Sequence, residues 1–224
     1  MKTVVFDLDG TLADTSGDLI AAANNCFRQM GEGDLLHPER DAGTALLGGR
    51  AMLNLGMERL GRARDAAAVD EYYPKLLEHY ARDIDTHTLL YPGAMEAVAE
   101  LKALGYRVAI CTNKPEALAE LLLTRLGVRE AFGAMLGADT LPVRKPDPEH
   151  LFETARRAGG DPAQCVLIGD SDTDRKTAAA AGVPCVLVTF GPSGEDMAAL
   201  EPEALLEDFK DLPALVTRLI GAAA

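Results

Sequence analysis

Two aspartates separated by one residue, Asp7 and Asp9, follow directly after a short apolar run near the amino terminus. Side chains two positions apart in an extended segment point to the same side, so both carboxylates can face one ligand. A second acidic segment begins with Asp170 and also follows an apolar run. Carboxylate oxygens are the ligands that Mg²⁺ prefers, and crowded carboxylates are costly without a cation. The pattern therefore predicts a magnesium site that draws on Asp7, Asp9 and Asp170.

Two further polar segments follow apolar runs and offer groups that bind phosphate. Thr112 and Asn113 stand where a strand is predicted to pass into a helix, and free N–H groups at the start of a helix bind phosphate oxygens. Lys145, in the loop 144–148, supplies the positive charge that lets an anionic aspartate approach an anionic phosphate. The residue types together are suited to phosphoryl transfer.

Alternating strand and helix patterns position these four segments. Apolar runs without alternation predict strands that are buried on both faces of a parallel sheet, over residues 3–8, 107–111, 134–137, 165–168 and 184–189. Helical spacing predicts helices over residues 95–104, 115–126, 148–158 and 172–181. We therefore predict an α/β fold with a doubly wound parallel sheet, in which the polar segments meet at the carboxyl edge.

Residues 15–87 interrupt this alternation, since they contain only helical patterns. Thr15 and Asp18 resemble a capping box at the start of the first helix. Further helices are predicted over residues 51–60 and 66–81, whereas the glycines within residues 43–50 favour a loop or a short interrupted helix. We predict a sheet domain of residues 1–14 and 88–224, with a helical insertion of residues 15–87.

Composition excludes several classes of function. A formal net charge of −13 argues against a protein that binds nucleic acid through its overall charge. No apolar run approaches the roughly 18 residues that span a bilayer, and the early aspartates are atypical of a signal peptide. We expect a soluble cytoplasmic protein without a membrane or nucleic-acid partner, either a monomer or a homodimer. The four histidines lack metal-binding spacing and are expected at the surface or at an interface.

The four polar segments occur in the order of the motifs of a known family. DLDGT at residues 7–11, CTNK at 111–114, RKPDP at 144–148 and GDSDTD at 169–174 resemble the motifs of the haloacid dehalogenase superfamily of phosphohydrolases, and the resemblance covers the whole chain. It implies a Rossmann-like core, a helical cap inserted after the first motif, and Mg²⁺-dependent hydrolysis of a small anionic phosphomonoester. The motif combination is most similar to bacterial phosphoglycolate phosphatases, which implies 2-phosphoglycolate as the substrate.

The resemblance also implies a role for each matching residue. Asp7 would be the nucleophile that forms an aspartyl phosphate, and Asp9 would protonate the leaving alkoxide and later activate water. The Asp7 and Asp170 carboxylates and the Asp9 backbone carbonyl would hold Mg²⁺, while Asp174 would orient Lys145 or a metal-bound water. The transferring phosphoryl group would be bound by Thr112, Asn113, Lys145 and the backbone N–H groups of Leu8 and Asp9.

Arg50, in the insertion, is a candidate for substrate recognition because a guanidinium binds a carboxylate through two parallel hydrogen bonds. A solvated arginine is the alternative. Other readings of the whole chain are a different small-molecule phosphatase or pyrophosphatase, a sugar-phosphate mutase, and a non-catalytic binding protein. A dehalogenase has no need of Asp9 and the Mg²⁺ cluster. A receiver-like signalling domain would have no use for the long insertion after the first strand.

Overall fold

The computed structural model describes residues 1–63, 65–192 and 196–223. The chain divides into two compact units, one formed by Met1–Ala13 and Leu90–Ala224 and the other by Asp14–Leu89. The chain therefore leaves the first unit once and returns to it once. The crossings lie in two-residue strands, β2 (Ala13–Asp14) and β3 (Leu89–Leu90).

The first unit is built on a parallel sheet. Six of the described strands form it: β1 (Thr3–Phe6), β4 (Arg107–Cys111), β5 (Ala134–Leu136), β6 (Cys165–Gly169), β7 (Cys185–Val188) and β8 (Ala204–Leu206). Their order is β5-β4-β1-β6-β7-β8, and every neighbouring pair is parallel. Helices of this unit connect the strands: α5 (Ala94–Ala103), α6 (Glu116–Arg125), α7 (Pro148–Arg157), α8 (Asp172–Ala181) and α9 (Leu212–Ile220).

Strand β1 lies in the middle of the sheet, and the strand order reverses beside it. The chain builds outward through β4 and β5 on one side, then returns to β6 on the other side and continues to β7 and β8. Ligands of doubly wound sheets bind at such a switch point, beyond the carboxyl ends of the strands. The predicted fold class, an α/β Rossmann-like parallel sheet, is confirmed.

Burial explains why these runs form strands. Val4, Val5 and Phe6 of β1 have no exposed surface, and the same holds for Val166 and Leu167 of β6. Strands covered on both faces tolerate continuous apolar sequence, which is the pattern that predicted them. The exception is β8, which the sequence analysis did not predict. It has three residues at the sheet edge, and the Leu205 side chain is exposed, so it carries too short a signal.

Helices make up most of the second unit: α1 (Ser16–Gln29), α2 (Pro38–Leu46), α3 (Gly49–Arg59) and α4 (Ala66–Arg82). Of the two alternatives expected for residues 43–50, a loop or an interrupted helix, the structure shows the interrupted helix, because α2 runs through Gly43 to Leu46 and α3 begins at Gly49. Pro38 is the first residue of this helix, a position where the missing N–H is not needed. The last turn of the helix is anchored by Ala45, which is buried. Gly48, with φ of 97°, then separates α2 from α3.

The predicted capping box at the start of α1 is wrong in detail. Thr15 occupies the N-cap position but makes no side-chain capping hydrogen bond. The buried Asp18 carboxylate instead accepts hydrogen bonds from the backbone N–H groups of His87 and Thr88, at 2.9 to 3.0 Å. This contact ties the beginning of the helical unit to its end. No helix among the described residues is both long and apolar enough to cross a membrane.

Candidate active site

The register of the sheet brings the predicted motif residues to one edge. Phe6, the last residue of β1, pairs with Ile110 of β4 on one side and with Ile168 of β6 on the other. Asp7 and Asp170 therefore follow neighbouring strands at nearly the same level. Both strands are fixed by buried apolar residues, so the position of the carboxylates depends on the sheet and not on a flexible loop.

Both carboxylate oxygens of Asp7 have a partner. The Leu8 N–H donates to Oδ1 at 2.7 Å, and the Lys145 ammonium lies 3.0 Å from Oδ2. Burial raises the pKa of Asp7 to about 6, although the Lys145 charge acts in the opposite direction. The nearby carboxylates of Asp174 and Asp9 add to the rise. A carboxylate in this setting gains from any further cation placed beside it.

Lys145 is buried and lies between two acids. Its Nζ is 2.7 Å from Oδ1 of Asp174 as well as 3.0 Å from Oδ2 of Asp7. Burial alone would lower the pKa of Lys145, but the charges of Asp174 and Asp7 outweigh it and raise the pKa above its usual value. The lysine is therefore held as an ammonium ion, with its position fixed by two ion pairs.

The carboxylates of Asp7, Asp170 and Asp174 form a group whose oxygen atoms lie within 4.8 Å of one another. Thr11 Oγ1 donates to Oδ1 of Asp170 at 3.1 Å. Burial, followed by the charges of Asp7 and Asp174, raises the pKa of Asp170 well above its usual value. Three crowded acids, two of which pair with the Lys145 ammonium, fit a hard divalent cation such as Mg²⁺.

Asp174 is placed by its own helix terminus. Ser171 is the N-cap of α8, and its hydroxyl donates to Oδ2 of Asp174 at 2.6 Å. Oδ1 is then directed to Lys145. A Cβ atom at Gly169 would lie 2.3 Å from the Asp174 carboxyl carbon, so the close approach requires glycine at the end of β6. The ion pair between Asp174 and Lys145 is consistent with the predicted role of Asp174 in orienting Lys145.

Lys114 is a site residue that belongs to the CTNK motif and for which no role was predicted. Its side chain is buried, with Nζ 2.9 Å from Oδ1 of Asp9. Its backbone N–H donates to Oγ1 of Thr112 at 3.2 Å, and Thr112 is itself buried. The signal was its place directly after Thr112 and Asn113, at the same sheet edge as Asp9. The Asp9 carboxylate, which the acidic pattern predicted to face the same ligand as Asp7, thus faces a lysine, and the Mg²⁺ ligand that the family resemblance implies is the Asp9 backbone carbonyl.

Asn113 contacts the Lys145 loop. Its Nδ2 donates to the backbone carbonyl of Lys145 at 3.0 Å, so one predicted phosphate ligand positions another. The Leu8 N–H, predicted to bind a phosphoryl oxygen, donates to the Asp7 carboxylate. The contacts of Leu8, Asp9, Thr112, Asn113 and Lys145 with a phosphoryl group remain predictions.

His150 corrects the expectation that all four histidines lie at the surface or at an interface. It belongs to α7, and no part of it is exposed. Its burial depends on how α7 packs on the sheet, which residue spacing alone does not reveal.

Arg50 lies in the second unit, where it is exposed. Its guanidinium lies 4.6 Å from the centroid of the Tyr73 ring, and Nη1 is 2.6 Å from Oδ1 of Asp70.

The parallel sheet with its acidic carboxyl edge has the arrangement that the four motifs predict for an α/β hydrolase. The family model described as haloacid dehalogenase-like hydrolase matches residues 1–182. The chain belongs to this family, and the resemblance predicted from its four motifs is confirmed.

Relatives of known name match over nearly the full length. A phosphoglycolate phosphatase of Mesorhizobium japonicum is 41% identical over 223 residues, covering 98% of this chain and 97% of that protein. A phosphoglycolate phosphatase of Rhodospirillum rubrum is 40% identical over 220 residues, covering 94% of this chain and 89% of the relative. The prediction of an enzyme of the phosphatase type is thereby confirmed.

Solved structures are similar in fold. A protein from Haemophilus somnus, described as a predicted phosphoglycolate phosphatase, superposes with a TM-score of 0.85 at 26% identity, covering 96% of this chain and 97% of the other. CbbY from Rhodobacter sphaeroides, solved in complex with phosphate, gives a TM-score of 0.74 at 24% identity, with 95% and 96% covered. The second likeness concerns the fold alone.

Proposed function

We propose that this protein hydrolyses a small phosphomonoester through an aspartyl-phosphate intermediate, and that 2-phosphoglycolate is its substrate. The observation that carries the proposal is the Asp7 carboxylate at the switch point of the sheet, 3.0 Å from the Lys145 ammonium and grouped with Asp170 and Asp174. The names of the relatives support the choice of substrate. Phosphoryl transfer needs positioned charges more than a strong base, and these residues supply them.

In the first step, a carboxylate oxygen of Asp7 attacks phosphorus and the bond to the ester oxygen breaks. Asp9 donates a proton to that oxygen, so the alcohol leaves neutral. In the second step, water attacks the phosphorus of the aspartyl phosphate while Asp9 accepts its proton. The Asp7 carboxylate is regenerated and inorganic phosphate is released. Lys145 counters the negative charge that Asp7 and the phosphoryl oxygens bring together.

The donor set also supports a magnesium ion. Asp7 and Asp170 would hold it through their carboxylates and Asp9 through its backbone carbonyl, and bound Mg²⁺ supplies positive charge between the acids and the phosphoryl group. Asp174, paired with Lys145 and Ser171, would act on the site through Lys145.

The test is phosphate release from 2-phosphoglycolate, sugar phosphates, nucleotides, pyrophosphate and p-nitrophenyl phosphate, with Mg²⁺ and then with EDTA. We expect kcat/KM for 2-phosphoglycolate at least about tenfold above the others, which corresponds to roughly 1.4 kcal/mol of transition-state discrimination. EDTA should abolish turnover and added Mg²⁺ should restore it. Unselective turnover would support phosphatase activity but reject 2-phosphoglycolate as the specific substrate.

Asp7→Asn is the matched variant for the nucleophile, because the amide keeps the shape of the side chain and removes its charge. We expect a folded protein with no measurable turnover and no labelling of the enzyme by radioactive phosphate from substrate. A substantial residual rate in Asp7→Asn would remove Asp7 as the nucleophile.

A further inference from the structure

A buried series of hydrogen bonds lies beside the Lys145 loop, and its residues take no part in the proposed steps of hydrolysis. His150 stands near the start of α7, and its ring is fully buried. Nε2 lies 3.0 Å from the backbone carbonyl oxygen of Gly137, and Nδ1 lies 3.5 Å from Sγ of Cys111. The imidazole therefore joins the end of β4 to the segment that follows β5.

The partners define where the protons lie. A carbonyl oxygen only accepts, so Nε2 of His150 must carry the hydrogen that points to Gly137. Burial raises the pKa of Cys111 to about 12, so Cys111 is a thiol and its S–H donates to Nδ1. Burial, followed by the charge of Lys145, lowers the pKa of His150 to about 4, while the Gly137 carbonyl and Asp147 act in the opposite direction. One neutral tautomer satisfies every contact.

These hydrogen bonds enclose the segment that carries Lys145. Gly137 and His150 mark the two ends of this segment, and their hydrogen bond closes it into a loop. Asn113, which lies outside the loop, donates from Nδ2 to the backbone carbonyl of Lys145 inside it. The other partner of His150, Cys111, directly precedes Thr112. Lys145 is thus attached to the carboxyl end of β4 through both its own carbonyl and the imidazole.

We propose that His150 is a positioning residue, whose neutral imidazole closes the loop 137–150 and so holds the Lys145 ammonium between Asp7 and Asp174. This inference rests on the proposed function of that site. No polar atom of His150 needs to reach the substrate. A displacement of about 1 Å in a charged group can cost up to about a hundredfold in rate, so the loop closure matters for turnover.

The variants His150→Gln and His150→Leu separate the hydrogen bond from the volume of the side chain. The Gln amide retains an N–H donor at about the reach of Nε2, whereas Leu fills the space without polar atoms. We expect His150→Leu to lower kcat for p-nitrophenyl phosphate by at least about tenfold with a smaller change in KM, since the Lys145 contact matters most in the transition state. His150→Gln should restore kcat to within about threefold of the wild-type value. His37→Leu, at an exposed histidine, is the control and should leave both constants unchanged.

Two readouts do not depend on turnover. The ¹⁵N shifts of His150 should report the Nε2–H tautomer between pH 5 and 8, and an Nδ1–H tautomer would overturn the proposal. Crystal structures should show Lys145 Nζ displaced from Asp7 and Asp174 in His150→Leu and retained in His150→Gln. Unchanged lysine geometry or unchanged kcat in His150→Leu would likewise overturn it.

These measurements keep the two proposals apart. A wild-type protein that hydrolyses none of the phosphoesters rejects the proposed function, while the tautomer and the position of Lys145 still decide the role of His150. Should His150→Leu fail to fold, Cys111→Ala replaces it. That variant removes the thiol donor alone, and we expect a loss of kcat that Cys111→Ser, which keeps an O–H donor, recovers. Equal kcat for Cys111→Ala and wild type would then overturn the proposal.

Discussion

The Lys114 ammonium lies 2.9 Å from Oδ1 of Asp9, and the two residues follow the carboxyl ends of neighbouring strands. The Lys114 side chain is only 3% exposed. A buried ammonium without a carboxylate would be an uncompensated charge, so separation of the two side chains is costly and each holds the other in place. Asp9 is the proposed acid and base of the reaction, and Lys114 therefore sets the direction in which its carboxylate points.

Lys114→Met keeps most of the side-chain volume and removes the charge. We expect kcat to fall by at least about tenfold, because Asp9 loses the partner that orients it. Lys114→Arg, which keeps a cation, should recover part of the loss. Steady-state kinetics with p-nitrophenyl phosphate measure both variants, and Lys176→Met, at an exposed lysine paired with Asp172, is the control. Wild-type kcat in Lys114→Met would show that Asp9 needs no such partner.

The convergence of Asp7, Thr112, Lys145 and Asp170 could be predicted because the sheet does the positioning. Continuous apolar runs identify parallel strands, and parallel strands place their carboxyl ends at one edge. His150 could not be assigned in this way, and Lys114, although it lies at the same sheet edge, could not be paired with Asp9 from the sequence. Both side chains depend on contacts with residues distant in the chain, Asp9 for the lysine and Gly137 for the histidine.

In the fold as well, some elements could be predicted from the sequence pattern and others depend on tertiary packing. The strand of residues 107–111 was predicted with the bounds that β4 has, since its apolar residues are buried on both faces. Helix α2 was not predicted because Gly43 is a poor helix former, and the packing of Ala45 in the helical unit outweighs this preference. Edge strand β8 has only three residues, which is too few for a periodic signal.

Gly169→Ala tests the close approach at the end of β6. The added Cβ would lie 2.3 to 2.5 Å from atoms of the Asp174 side chain, a distance that forces the carboxylate to move. We expect at least about a tenfold loss of kcat as Lys145 loses its shortest ion pair, with the secondary structure retained by circular dichroism. Gly133→Ala is the matched control, because its Cβ would make only ordinary contacts of 3.7 Å or more. Similar kinetics for the two variants would contradict the expected displacement.

The buried His150 makes stability depend on pH. Its pKa of about 4 in the folded protein lies below the usual value of 6.5, since burial and the Lys145 charge disfavour the imidazolium. The unfolded chain therefore takes up a proton as pH falls from about 6.5 to 4, whereas the folded protein does not, and the free energy of unfolding decreases. His150→Gln has no such group, and its other titrating groups are the same.

Urea denaturation of wild type and His150→Gln at pH 7.5 and pH 4.5 measures this effect. We expect the stability difference between the two proteins to move in favour of the Gln variant by about 2 kcal/mol at the lower pH. The comparison removes the contributions of Asp7 and Asp170, which both proteins share. An equal stability difference at the two pH values would show that His150 titrates normally.

Arg50→Ala tests whether the helical unit recognises the carboxylate of the substrate. The Arg50–Asp70 pair is exposed on both sides, and such pairs contribute at most about 1 kcal/mol, so a substrate carboxylate can replace Asp70 at little cost. The Tyr73 ring packs against the guanidinium and already restricts the conformations of the Arg50 side chain, so substrate binding would cost less conformational entropy. We expect KM for 2-phosphoglycolate to rise by at least about tenfold and KM for p-nitrophenyl phosphate, which has no carboxylate, to change by less than about twofold. Arg40→Ala, at an exposed arginine of the same unit, is the control, and equal rises in KM for both substrates in Arg50→Ala would reject carboxylate recognition by this residue.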